Sequence, residues 1–104
     1  MAYWVARLMG EAEQNFSLDL LHTLYDELSG ADGEHTDVSL THESEWCLAA
    51  FFSGLLVWEN VAGEGEPKHM KGISREKVLT LWKLLASGRI DEIDQESWVS
   101  GYGQ

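Results

Sequence analysis

Glu45–Val61 reads EWCLAAFFSGLLVWENV, and the assignment of this stretch decides the fold. Two apolar runs rich in aromatic side chains, Glu45–Phe52 and Leu55–Val61, flank Ser53-Gly54. Short apolar runs joined by a glycine turn fit the two strands of a hairpin. Leu48, Ala49 and Ala50 favour helix, so a short helix over Glu43–Phe52 is the competing assignment. The aromatic content of both runs selects strand, turn, strand.

Outward from this hairpin the pattern stays mixed. Asp37–His42 alternates, with Val38 and Leu40 pointing one way. Ala62–Glu66 is a Gly/Glu turn. Pro67–Gly72 then reads as one more short strand, placed at an edge by its Pro and Lys residues. At the other end, Tyr3–Met9 alternates as a strand and Gly10–Gln14 is a polar turn.

Two helices complete the reading. Ser17 is placed to cap the first, with Asp19 in its first turn and Phe16 and Leu21 as a staple. Leu18, Leu21, Tyr25 and Leu28 share one face, and Gly30 is expected to end it in a left-handed conformation. The second helix has Ser74 as its cap and Ile73 and Val78 as a staple. Val78, Leu81, Trp82 and Leu85 form its apolar stripe, and Gly88 stops it. A further helical turn is expected over Ile90–Asp94. Strands clustered in the middle and joined by short turns argue for an antiparallel sheet. The expected fold is α+β, a sheet of four to five antiparallel strands with two main helices packed on one face. Its order is β-α-β-β-β-(β)-α within a single domain spanning residues 1–104.

Composition narrows the function classes. The 104 residues are 44% hydrophobic, with five Trp and one Pro, a globular balance. The longest apolar block, Trp46–Trp58, is broken by Ser53 and Gly54 and is shorter than the roughly 18 residues of a membrane span. Met1–Arg7 lacks the basic and long apolar regions of a secretory signal, so a cytoplasmic protein, or a mature form whose signal was removed, is expected. Cys47 is the only cysteine and lies in an apolar run beside Glu45, which reads as a buried, inert thiol.

Charge is the most informative feature. Seven basic residues face eighteen acidic ones, a formal charge of −11 that repels nucleic acid and anionic lipid and attracts basic proteins. Residues 31–66 carry eight carboxylates and no Lys or Arg, whereas residues 67–90 hold six of the seven bases. Acidity that merely keeps a small protein soluble is the plainer reading of the same numbers.

Catalytic chemistry finds no motif. Gly63-Glu64-Gly65-Glu66 places carboxylates where a phosphate loop needs bare amides. There is no G-x-S-x-G elbow, and Ser17 and Ser74 read as helix caps. His35, Asp37, His42 and Glu43 are the only cluster of ligand-type residues. They lack standard zinc spacing and read as a solvated loop and strand end. No enzyme activity, cofactor or metal is expected. Trp46, Phe51, Phe52, Trp58 and Trp82 read as core, which leaves Trp4, Trp98 or Tyr102 as candidates for exposure.

In size, acidity, central aromatic strands and layout the chain resembles, at class level, the small acidic α+β immunity proteins that bacteria make against toxins. The resemblance involves no diagnostic motif, so it carries no family residues onto this sequence. It implies a non-catalytic domain that blocks a basic partner such as a toxin. The expected contact surface is Asp32, Glu34, Asp37, Glu43, Glu45, Glu59, Glu64 and Glu66, with Trp98 and Tyr102 beside them. The alternative is a structural or regulatory module acting as a homodimer. Lys68, Lys71, Arg75, Lys77 and Lys83 would then meet the acidic segment of a second copy. Neither reading involves nucleic acid or a membrane.

Overall fold

The computed structural model describes residues 3–103. Its centre is the hairpin that the sequence favours, with β4 at Trp46–Phe51 and β5 at Leu56–Asn60. The helical alternative fails because this segment must bury two faces. Leu48, Ala50, Leu56 and Trp58 enter the core, while Cys47, Ala49, Val57 and Glu59 point the opposite way. Around it stand β1 (Tyr3–Ala6), β2 (Ala12–Gln14), β3 (Asp37–His42), β6 (Lys68–Met70) and β7 (Val99–Ser100). All pairings are antiparallel, in the order β2-β1-β3-β4-β5-β6-β7.

Among the described residues the sheet therefore has seven strands where four to five are expected. Its two additional strands are three and two residues long, too short for alternation to register. Gly10–Gln14 is not only a turn, since Ala12–Gln14 folds back on β1. The first strand stops at Ala6, three residues before the expected end, because Arg7–Gly10 closes the turn. Pro67–Gly72 does contain a strand, but β7 pairs with β6 on its outer side, so it is not an edge. The chain order is β-β-α-β-β-β-β-α-α-β, with β7 contributed by a tail that the sequence leaves unassigned.

The first helical segment is fragmented. A 3-10 turn at Leu18–Leu20 leads into α1 (Leu21–Asp26), and a second follows at Glu27–Gly30. Ser17 makes no side-chain cap bond, and Gly30 is not left-handed; the chain leaves through Ala31 in an extended conformation. The second helix, α2 (Arg75–Ala86), meets its expectations. The Ser74 hydroxyl accepts from the Lys77 amide. Gly88, at φ +77°, closes a Schellman motif in which Arg89 N–H donates to Leu84 and Gly88 N–H to Leu85. A short α3 spans Ile90–Asp94.

The helices cover one face of the sheet. Leu21, Leu24, Leu28, Val78, Leu81, Trp82, Leu85 and Ile93 pack on Val5, Val38, Leu40, Leu48, Leu56 and Trp58 in one cluster. Trp82 and Trp58 are fully buried, so each indole N–H needs a partner. Trp82 donates to the Leu48 carbonyl at 2.9 Å and Trp58 to the Asp94 carboxylate at 2.7 Å. The opposite face carries Trp4, Ser39, Thr41, Ala49, Val57, Glu59 and His69. The tail crosses part of it. His69 Nδ1 donates to the Gly101 carbonyl at 2.9 Å, and the Tyr102 hydroxyl donates to Glu59 at 2.9 Å.

Candidate functional site

Hairpins send successive turns to opposite ends of a sheet, and this geometry sorts the acidic residues. Glu43 and Glu45 lie in the β3–β4 turn, Glu59 near the end of β5, and Glu64 and Glu66 in the β5–β6 loop. These five occupy one pole. The Val61 amide donates to the Glu45 carbonyl at 2.8 Å, which joins that turn to the end of β5. Asp32 and Glu34 precede β3 and Asp37 begins it, so these three lie at the opposite pole. The six residues of β3 separate the groups by about 17 Å at the usual rise per residue. The eight carboxylates consequently form two surfaces, five on one and three on the other.

The bases are mostly engaged elsewhere. Arg7 pairs with Glu13 and Glu27, Arg75 with Asp26, Lys77 with Glu96, and Arg89 with Glu92. None of these pairs uses Asp32, Glu34, Asp37, Glu45, Glu59, Glu64 or Glu66. Among the five bases of residues 68–83, Lys68 lines the cleft at the five-carboxylate pole, and Lys77 reaches that cleft through Glu96.

That pole has an aromatic floor. Trp46 stacks on Trp58 at 4.7 Å between centroids, and Trp58 on Trp98 at 6.1 Å, giving three nearly parallel indoles. Trp98 is half-buried, and its N–H donates to the Ile93 carbonyl at 2.8 Å. Its ring lines an open cleft of about 340 Å³ together with Glu66, Lys68, Asp94, Glu96 and Ser100. Each carboxylate there has one internal donor: Ser100 for Glu66, Trp58 for Asp94 and Lys77 for Glu96. A carboxylate offers about four lone-pair sites, so each keeps acceptor capacity for an incoming cation. Tyr102 is exposed on the other side of the sheet at the same pole, and its hydrogen bond to Glu59 pushes the phenol up from its ordinary pKa.

Asp94 and Glu96 are the site residues that sequence reasoning missed. They belong to the acidic segment after residue 90, outside the middle run that drew attention by its lack of bases. The detectable signal was composite: a helix rich in acids shortly before a Trp in the tail.

The second pole differs in kind. Asp32 accepts from the Glu34 and His35 amides, each at 2.8 Å, and these bonds, that of His35 first, hold its carboxyl below the usual range. His35 Nδ1 lies 3.2 Å from the same carboxylate. His42, at the far end of β3, accepts the Ser44 amide on Nδ1. The ligand-type residues around β3 are thus spread along the strand. Among the described residues no three His, Cys, Asp or Glu side chains converge as a metal site. Burial pushes the Cys47 thiol up, with Glu59 and Asp37 adding to the effect, so it is a poor thiolate. No helix among the described residues is long and apolar enough to cross a membrane. No family model matches this chain, and no curated protein or solved structure shows significant similarity to it.

Proposed function

We propose that this chain is a non-catalytic, acidic protein-binding domain that blocks a basic partner, in the manner of an immunity protein against a toxin. The observation that carries the reading is the cleft in which Glu66, Asp94 and Glu96 outnumber Lys68 around the ring of Trp98. Carboxylates alone attract cations without selecting them. A Trp face beside them adds a cation–π contact and an apolar surface for the stem of a Lys or Arg side chain. Aromatic anchors ringed by complementary charge are the common make-up of binding hot spots. The net charge of −11 accelerates encounter with a basic partner and makes it sensitive to salt. In this reading the chain acts in the cytoplasm, with no cofactor and no covalent chemistry. The same charge opposes pairing of two copies, which favours the inhibitor over the homodimer.

Hexalysine titrated into the protein, followed through the indole N–H resonance of Trp98, tests this. Binding is expected at low ionic strength, with Trp98→Ala weakening it by about tenfold. Charge is unchanged in that variant, so equal affinity of the variant and the parent would sink the cleft as a binding site.

A further inference from the structure

The β4–β5 turn presents a large apolar side chain that the fold does not require. Phe51, Phe52, Ser53 and Gly54 form it, with the Gly54 amide donating to the Phe51 carbonyl at 3.1 Å and the Phe51 amide to Leu55 at 3.0 Å. Gly54 sits at φ +88°. Such a turn makes no demand for an aromatic residue at its second position. Phe52 occupies that position and is 67% exposed, the largest exposure among the large apolar side chains described.

Phe52 stands between two grooves. One, of about 170 Å³, runs along Tyr25 and Leu28, and the other, of about 340 Å³, along Ala31 and Phe51. The charged residues lining them are Asp26 and Asp32. Asp26 is neutralised by a two-pronged bond from Arg75, at 2.9 and 3.0 Å. Asp32 is instead fixed by neutral amide donors and by the His35 ring at 3.2 Å, and among the described residues it has no Lys or Arg partner; Glu34 and Asp37 are close by in sequence. Lys71 lies beyond Ser53, lining a separate depression with Leu55. Beside an apolar knob and its grooves there is therefore a held, negatively charged oxygen pair.

We infer that the Phe52 turn is a second docking surface, which takes a segment of a partner protein that carries an apolar side chain next to a Lys or Arg. Charge selects this occupant. A second copy could fill the grooves with its own Phe52, but it would bring Asp32, Glu34 and Asp37 against their like. A basic segment meets the same carboxylates with opposite sign, while its apolar side chain covers Phe52. The proposal rests on the reading of the chain as a binder of basic proteins, but not on the Trp98 cleft, which lies at the other pole.

The test uses isotope-labelled full-length protein and two probes, hexalysine and a peptide of alternating phenylalanine and arginine. The aromatic peptide is expected to shift the resonances of Phe52, Ser53 and Thr36. Phe52→Ala is expected to weaken that event by at least about tenfold, and Trp98→Ala to leave it unchanged. Phe52 is solvent-exposed, so the variant keeps the fold, and its amide spectrum verifies this. Shifts confined to the Trp98 pole, or equal binding by Phe52→Ala, would overturn the inference. So would sedimentation showing a dimer that Phe52→Ala abolishes, since the occupant would then be a second copy. Hexalysine moving Trp98 while the aromatic peptide leaves Phe52 unmoved would sink only this inference. Failure of both probes at both poles would remove the proposed function as well.

Discussion

The β3–β4 and β4–β5 turns are built alike and filled differently. In each, the fourth residue donates its amide to the carbonyl of the first, Glu45 to His42 at 2.9 Å and Gly54 to Phe51 at 3.1 Å. In each, that fourth residue is left-handed, at φ +77° for Glu45 and +88° for Gly54. Glycine adopts this conformation without penalty, while a residue with a Cβ is strained by about 1–2 kcal/mol. The β4–β5 turn is relaxed in its backbone and exposes an aromatic side chain. The β3–β4 turn is strained in its backbone and keeps a carboxylate. Matched backbones make the contrast informative, because turn geometry by itself asks for neither Phe52 nor Glu45. Both side chains depart from what folding prefers, and each lies at one of the two acidic poles.

Equalising the turns tests this, and the larger effect is expected at the relaxed one. Gly54→Ala imports the strain that Glu45 already carries. A Cβ there would sit 3.5 Å from the Gly72 Cα, an ordinary contact, so the penalty is conformational rather than steric. The expected loss is about 1–2 kcal/mol, read from the urea midpoint at constant slope. A loss near zero would mean that the turn relaxes away from the left-handed region, and the comparison would break. The converse change, Glu45→Gly, is expected to stabilise the protein by about 0.5–1 kcal/mol, because relief of strain exceeds the added freedom of the unfolded chain. The same variant is expected to bind hexalysine more weakly, through the loss of one carboxylate near the Trp98 cleft. A gain in stability with undiminished binding would show that Glu45 is strained without contributing to the site.

The centre of this contrast was legible in the sequence and its surroundings were less so. The aromatic runs around Ser53-Gly54 gave β4 and β5, and the stripe from Val78 to Leu85 gave α2, because long periodic segments repeat the same signal several times. β2 and β7 were not legible, since two or three residues carry no period and their pairing is decided by neighbouring strands. Ser17 and Gly30 misled because the intervening helix is interrupted by 3-10 turns, so the expected cap positions are not its true ends. The acidic run was visible as a run but not as two poles. Residues 37 and 43 are six apart in the chain and at opposite ends of one strand, so counting charge by segment merges what the hairpin separates. The Trp98 cleft is assembled from the loop before β6, β6 itself, the end of α3 and the segment leading into β7, which no single segment announces.

The poles are also expected to loosen at opposite ends of the pH scale, the smallest effect of the set. At the Phe52 pole the Asp32 carboxyl is held below its ordinary value by amide donors. Its stabilising contribution is therefore present above the unfolded value of about 3.9 and is lost as pH falls through the folded one. At the Glu45 pole the Tyr102 phenol is held above its ordinary value by Glu59, which accepts its proton. That contribution is present below the unfolded value of about 10 and is lost as pH rises through the folded one. Residue-resolved titration by NMR separates the two. Raising the pH is expected to free the tail around Tyr102 from Glu59 while Asp32 and its loop stay unchanged, and acid is expected to do the reverse. Tyr102→Phe removes the alkaline event and leaves the acid one. If the Tyr102 phenol titrates like a free tyrosine, its bond to Glu59 does not persist in solution. The tail would then be held on the sheet by its pairing with β6 and by the bonds of Gly101 to Pro67 and His69.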